Sequence, residues 1–212
     1  MDEALLTDAI ALTPAHGRAI LAVAGPPGAG KSTLAVRLVD AVNARLGDAV
    51  AAYVPLDGFH LSNRQLDRAG TADRKGARFT FDVWGYLALL RRLLSDTTHP
   101  VYVPDYDRRL HEPIAARHVV EPRVRLVVTE GNYLASTEQG WREVADLAAE
   151  LWYVETPRPL REARLLRRQR DGGRDAAAAR AWVDSNDLVN AEEVEAQASR
   201  CDRVVTIVPG DA

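Results

Sequence analysis

The chain has 212 residues, 47% of them apolar, which is enough for one packed α/β domain and short for two. A net charge of −3 supplies no broad positive field and argues against nucleic acid or an anionic membrane as the main partner. A single cysteine excludes an internal disulfide. The acidic start MDEALLTDAI lacks a signal peptide's basic region, and no apolar run nears the roughly 18 residues of a membrane span, so a cytoplasmic protein is expected.

Along the chain, strand-like apolar runs alternate with helical patterns. The strands are expected at 18–25, 49–56, 124–130, 150–156 and 202–208. Helices are expected at 31–46, 83–95, 141–149, 159–170 and 176–199, the last broken near Asp187. Strands that are apolar on both faces imply a mainly parallel, five-stranded sheet covered on both sides, a three-layer sandwich. Asp82 is placed to cap the helix from 83, whose apolar stripe reads Val83, Leu87, Leu90 and Leu94. Trp84 and Trp152 sit in apolar periodic runs and are expected in the core.

Between the first strand and first long helix, residues 25–32 read GPPGAGKS, the phosphate-loop pattern G-x-x-x-x-G-K-[ST]. Gly25, Gly28 and Gly30 allow the backbone to turn its N–H groups inward, with Pro26, Pro27 and Ala29 completing the loop. The helix dipole points at the same place. Lys31 is expected at the β- and γ-phosphates of ATP, and the Ser32 hydroxyl, followed by Thr33, at Mg²⁺.

Ligands of such sheets gather at the carboxyl ends of strands, where Asp57, Glu130 and Glu155 stand. Asp57 ends the second strand beside the phosphate loop and suits a proton acceptor for an attacking hydroxyl. Glu130, in VVTEGNY, suits the water shell of Mg²⁺. The polar segment 57–82 suits a substrate-facing insertion. Six arginines crowd REARLLRRQRDGGR at 161–174. Arg161, Arg164 and Arg168 share a helix face, and Gly172-Gly173 supply a hinge, so an arginine lid over the transferring phosphoryl group is expected, with Arg164 and Arg168 as its working residues. The acceptor pocket is expected to use Asp57, His60, Arg74, Lys75, Tyr106, His111 and Tyr133. The basic excess at Arg74 and Lys75 hints at a carboxylate or phosphate on the acceptor. No histidine or cysteine spacing suggests a structural metal.

The stretches GPPGAGKS, PLDGFH, RKGARFTFD, YDRRLHEP, TEGNY and RLLRRQRDGGR together resemble the uridine kinase / phosphoribulokinase / bacterial pantothenate kinase group. Within it they look nearest to the bacterial nucleoside/nucleotide kinase proteins, some labelled fructose-transport kinases. The resemblance runs from about Arg18 to the C-terminus. It implies a P-loop phosphotransferase using ATP and Mg²⁺ on a hydroxyl, with Asp57 at the group's catalytic acid. Tyr106, Asp107 and His111 repeat the Y-D-x-x-x-H spacing of uridine kinases, but Pro113 stands where those kinases usually carry an arginine, which points away from uridine or cytidine.

Residues 1–212 thus read as one P-loop kinase domain, with 57–123 as the acceptor-binding insertion and 161–180 as the lid. Its expected partner is a small hydroxyl-bearing molecule: a sugar, a nucleoside or a pantothenate-like metabolite. An ATP-sensing module and a nucleoside monophosphate kinase are the rival readings. Adenine contacts are expected near the lid base and 206–210. Apolar residues on 176–199 leave core packing and a homodimer interface both open.

Overall fold

The computed structural model describes residues 2–207. Its first helix, α1 (Glu3–Ala11), is capped by the Asp2 carboxylate, which accepts from Ala4 N. Strand β1 (Ala19–Ala24) is buried almost throughout and lies at the middle of a five-stranded sheet. The other strands are β2 (Ala51–Pro55), β5 (Leu126–Gly131), β6 (Glu150–Glu155) and β7 (Arg203–Thr206), in the order β2-β5-β1-β6-β7. Every pairing in that sheet is parallel.

The period-two alternation of β1 divides the core. Leu21 and Val23 face α2 (Lys31–Leu46), meeting Leu34, Leu38 and Val42, with Leu6 and Ala9 of α1 packed beyond. Ile20, Ala22 and Ala24 face α4 (Val83–Ser95) and meet Leu87, Leu90 and Leu93. Helices therefore cover both faces, as the doubly apolar strands require. Asp82 caps α4 by accepting from Gly85 N. The buried stripe is Tyr86, Leu87, Leu90 and Leu93, so Leu94 lies one position off the expected line and Tyr86 joins it. Trp84 faces outward, 54% exposed, because that rotation turns position 84 away from the sheet; the expectation of a core residue is corrected. Trp152 is fully buried.

Two expected helices are shorter. The first, α5 (Trp141–Ala145), stops because Ala149 N is drawn to Ile20 O, which feeds the chain into β6. The long C-terminal helix is three pieces: α7 (Ala176–Trp182), a π-helical segment at Val183–Asp187, and α8 (Leu188–Glu195). Val183, Leu188, Ala191 and Val194 are buried within the chain, leaving Val189 exposed. Helix α6 (Arg158–Asp171) packs against α7.

A second sheet was not expected: an antiparallel hairpin of β3 (Val101–Asp107) and β4 (Glu112–Val120), with a register shift around Pro104. Together with the short α3 (Asn63–Ala69), it lies within 57–123, the expected acceptor-binding insertion.

The entry to the phosphate loop is held tightly. Gly25 has φ +151°, and a Cβ there would lie 2.7 Å from the Val154 carbonyl oxygen on β6. Gly25→Ala is expected to cost on the order of 2 kcal/mol, a drop of roughly 4–8 °C in Tm at this chain length. Calorimetry of the purified variant checks it.

Candidate active site

The loop after β1 wraps the N-terminus of α2, with Gly28 at φ +77° and Gly30, at φ +98°, as the N-cap. No side chain caps that helix, so its first N–H groups remain turned to the loop. Lys31 is 7% exposed and folds back over the loop, donating to Pro26 O at 3.1 Å and Asn132 Oδ1 at 2.7 Å. Burial lowers its pKa to about 8 against the opposing pull of Glu130 and Asp57. Residues Pro27, Gly28 and Gly30 through Thr33 line one end of a cleft of about 1640 Å³.

Glu130 is the penultimate residue of β5, the strand between β1 and β2, and pairs in register with Pro55. Its side chain is 3% exposed. It accepts from Tyr53 Oη at 2.8 Å and is hydrogen-bonded to Ser32. Burial raises its pKa, and repulsion from Asp57 adds to the rise. Asp57 lies one short turn beyond β2, in a single 3₁₀ turn at Leu56–Phe59. Gly58 behind it approaches the Pro104 carbonyl so closely that a Cβ would overlap it, which locks this turn against the hairpin.

Asp57 stands among cations. Burial works against its charge, but His60, Arg108, Arg168 and Lys31 hold its pKa below the usual carboxylate range. Its Oδ1 is 3.9 Å from His60 Nε2 and its Oδ2 is 3.6 Å from Arg108 Nη2. Two acids of opposite tendency therefore share the phosphate end: Asp57 stays ionised, while Glu130 holds a proton more readily.

His60 is stacked on Phe81 at 4.1 Å and packed against Tyr106 at 5.0 Å. Burial first, then the charges of Lys75, Arg108 and Arg168, push its pKa from 6.5 down to about 4, against the pull of Asp57. The folded state thus binds this proton less readily than the unfolded chain, so the residue costs stability as pH falls from about 6.5 to 4. The difference in unfolding free energy between wild type and His60→Phe is expected to shift in the variant's favour by up to about 3 kcal/mol over that range. Urea denaturation at pH 7 and pH 4.5 measures it.

The expected lid residues separate into two kinds. Arg164 reaches the loop, donating to Gly28 O at 3.2 Å. Arg168 lines the cleft and lies 3.8 Å from Asp187, the last residue of the π segment. Arg161 is different: 4% exposed, it donates to Thr156 O and pairs with Glu195 of α8. It pins the base of α6 and does not face the cleft.

Of the acceptor residues, His60, Lys75, Tyr106 and His111 line the cleft beside Asp57. Arg74 and Tyr133 do not. Arg74 donates to Asn186 and Asn190, and Tyr133 is fully buried with its hydroxyl on Gly76 O. Both fix the backbone that carries Lys75. Asp107 caps the hairpin turn by accepting from Arg109 N and Leu110 N. Glu155 is exposed and does not line the cleft. Arg108, Asn132 and Asp187, none of them among the expected site residues, also line the cleft, and the first two lie inside stretches that carry the resemblance. Thr206 and Ile207 line the cleft with Arg203 and Leu5, Ile207 lying beside Gly30 of the loop; residues 208–210, the rest of the expected adenine contact, lie outside the described residues.

Residues 20–211 match the family model described as "Phosphoribulokinase / Uridine kinase family". The chain belongs to that family. A Schizosaccharomyces pombe protein provisionally named a uridine kinase is 32% identical over 197 residues, covering 90% of this chain and 84% of its own. A crystal structure from Silicibacter sp. TM1040, provisionally described as a fructose transport system kinase, superposes with a TM-score of 0.87 at 38% identity, over 97% of this chain and 99% of that one. Phosphoribulokinase from Rhodobacter spheroides shares the fold, with a TM-score of 0.62 at 16% identity over 92% of this chain and 73% of that one. This member of the family is an ATP-dependent P-loop kinase. Among the described residues, no helix is long and apolar enough to cross a membrane.

Proposed function

We propose that this kinase transfers the γ-phosphoryl group of ATP to a hydroxyl of a small metabolite, with Asp57 as the proton acceptor. The observation that carries the reading is the setting of Asp57: an ionised carboxylate at the mouth of the phosphate loop, inside a cleft lined by both the loop and the polar insertion. The acceptor oxygen forms a bond to the γ-phosphorus as its proton passes to Asp57, and the bond from that phosphorus to the β-phosphate oxygen breaks, releasing ADP. Lys31, Arg164 and Arg168 hold the charge that moves onto the leaving oxygen. Catalysis is then positioning and electrostatics, as phosphoryl transfer requires.

The donor set around Lys31 suits a hard divalent cation. Ser32, Glu130 and Asp57 offer only oxygen, and the repulsion between the two carboxylates is the kind a cation relieves. Ser32 and Glu130 would hold Mg²⁺, Glu130 through water, and the ion would neutralise charge on the β- and γ-phosphates. Residues 161–180 act as the lid and 57–123 as the acceptor side, within one kinase domain.

Steady-state ADP release from ATP with a panel of sugars, nucleosides, nucleoside monophosphates, pantothenate and glycerate tests the reading. Stimulation by a hydroxyl acceptor supports it. Tight ATP binding without stimulation by any compound supports a sensor in its place, and stimulation by nucleoside monophosphates alone points to a phosphate acceptor.

A further inference from the structure

Cations crowd the acceptor half of the cleft beyond what its acids can balance. Lys75 comes from the insertion loop, Arg108 and Arg109 from the hairpin, and Arg168 from the lid, and all four line the cleft with Asp57. Asp2, Glu130 and Asp171 also line the cleft with Asp57 and Asp187, yet its lysines and arginines outnumber its acids ten to five. Asp57 is within 4 Å of Arg108 alone among the arginines, and Asp187 is turned to Arg168 and Gln169. Glu112, whose charge reaches Lys75, is spent on Asn63 N and does not line the cleft. Neither Lys75 nor Arg109 has a carboxylate within 4 Å among the described residues.

The phosphoryl group in flight does not account for all of them. Lys31, Arg164 and Arg168 already serve it. Lys75 stands further out, over the Tyr106 ring at 5.1 Å, with Tyr106 packed on His60 and His60 on the Asp57 side. Two aromatic rings thus separate this ammonium group from the carboxylate that takes the proton. Its position is also built: it donates to Asn63 Oδ1 at 2.5 Å and His111 O at 2.6 Å, and its backbone is held by Asn186 Nδ2 on Lys75 O at 2.9 Å.

We propose that the acceptor is an anion, a hydroxylated molecule whose carboxylate or phosphate is received by Lys75, Arg108 and Arg109 while its hydroxyl lies at Asp57. This rests on the reading of Asp57 as the proton acceptor. Positive charge focused in a cleft raises the local concentration of an anionic substrate, and guanidinium forks match carboxylate and phosphate oxygens. A neutral nucleoside or free sugar would leave the cluster unbalanced.

The test has two arms. In the first, the protein is saturated with Mg²⁺ and a non-hydrolysable ATP analogue, which occupies the phosphate loop, and inorganic phosphate is titrated while Tm is followed. Phosphate is expected to raise Tm in wild type and to do so less in Arg108→Gln and Lys75→Met, with Arg108→Lys retaining the effect. No rise in wild type, or equal rises in both charge-removing variants, overturns the proposal. In the second arm, matched acceptors that differ in the anionic group are compared by ADP release: glycerate with glycerol, pantothenate with pantothenol, and ribose 5-phosphate with ribose. The anionic member of a used pair is expected to exceed its neutral partner about tenfold or more in kcat/KM, as charge-assisted pairing implies. Arg108→Gln should remove that preference mainly through KM. A neutral member that serves equally well overturns the proposal and leaves the kinase reading standing. Phosphate binding that depends on Arg108 and Lys75, with no pair stimulating ADP release, keeps the anion site and removes the kinase reading.

Discussion

Replacing Asp57 with asparagine is expected to reduce kcat by about 10²-fold or more, the usual scale for loss of a general base. The KM for ATP should hardly move. The amide keeps the size of the side chain but cannot take the proton of an attacking hydroxyl. Asp57 makes no hydrogen bond to the phosphate loop, whose Lys31 is held by Pro26 O and Asn132. The variant should fold, since the side chain is one-third exposed and the turn beneath it is fixed by Gly58 against Pro104. Steady-state kinetics with saturating acceptor, read beside nucleotide binding by calorimetry, separates the two roles. Equal losses in ATP affinity and turnover would show that the carboxylate acts on the nucleotide site instead.

Lys31→Met should have a comparable effect on turnover with a different signature. Removing a preorganised positive group from the transferring phosphates costs roughly 10²–10³ in kcat, and here ATP affinity should fall with it, because the same ammonium group binds the ground state. Stability should move the other way. Lys31 is 7% exposed, and burial has already brought its pKa down to about 8, so the folded chain carries the strain of a desolvated charge. Methionine keeps the apolar stem of the side chain within α2. The nucleotide-free variant is therefore expected to melt no lower than wild type. A large fall in Tm would mean that the loss of activity reports misfolding.

The phosphate loop was legible because its backbone geometry demands glycine: Gly25, Gly28 and Gly30 all have positive φ, and Gly25 is pressed against β6. The central sheet was legible because strands apolar on both faces admit few other arrangements. The hairpin was not. β4 is exposed or half-buried along most of its length, and Pro104 interrupts β3 where the register shifts, so neither strand carries a clean apolar alternation. Helix faces were only partly legible. Arg161 and Arg168 share a stripe on α6, but the partner that claims Arg161 is Glu195, from a helix 34 residues later, and spacing along one helix carries no record of that contact. The same holds for Trp84, which differs from its core neighbours by a rotation set by the sheet. Arg74 and Tyr133 have the chemistry of acceptor contacts, yet their partners Asn190 and Gly76 turn them into supports for the loop. Arg108 carries no spacing signal of its own between Tyr106 and His111, and only the fold of the hairpin brings it within 3.6 Å of Asp57.

The central claim is that phosphorus moves from ATP to a hydroxyl oxygen under the control of Asp57. Phosphorus NMR of ATP and Mg²⁺ incubated with the enzyme and a mixture of hydroxylated carboxylates and sugar phosphates follows that atom directly. A new phosphomonoester signal, growing in step with ADP and nearly absent with Asp57→Asn, is the predicted result. ADP accompanied only by inorganic phosphate, at the same rate in wild type and variant, would contradict it.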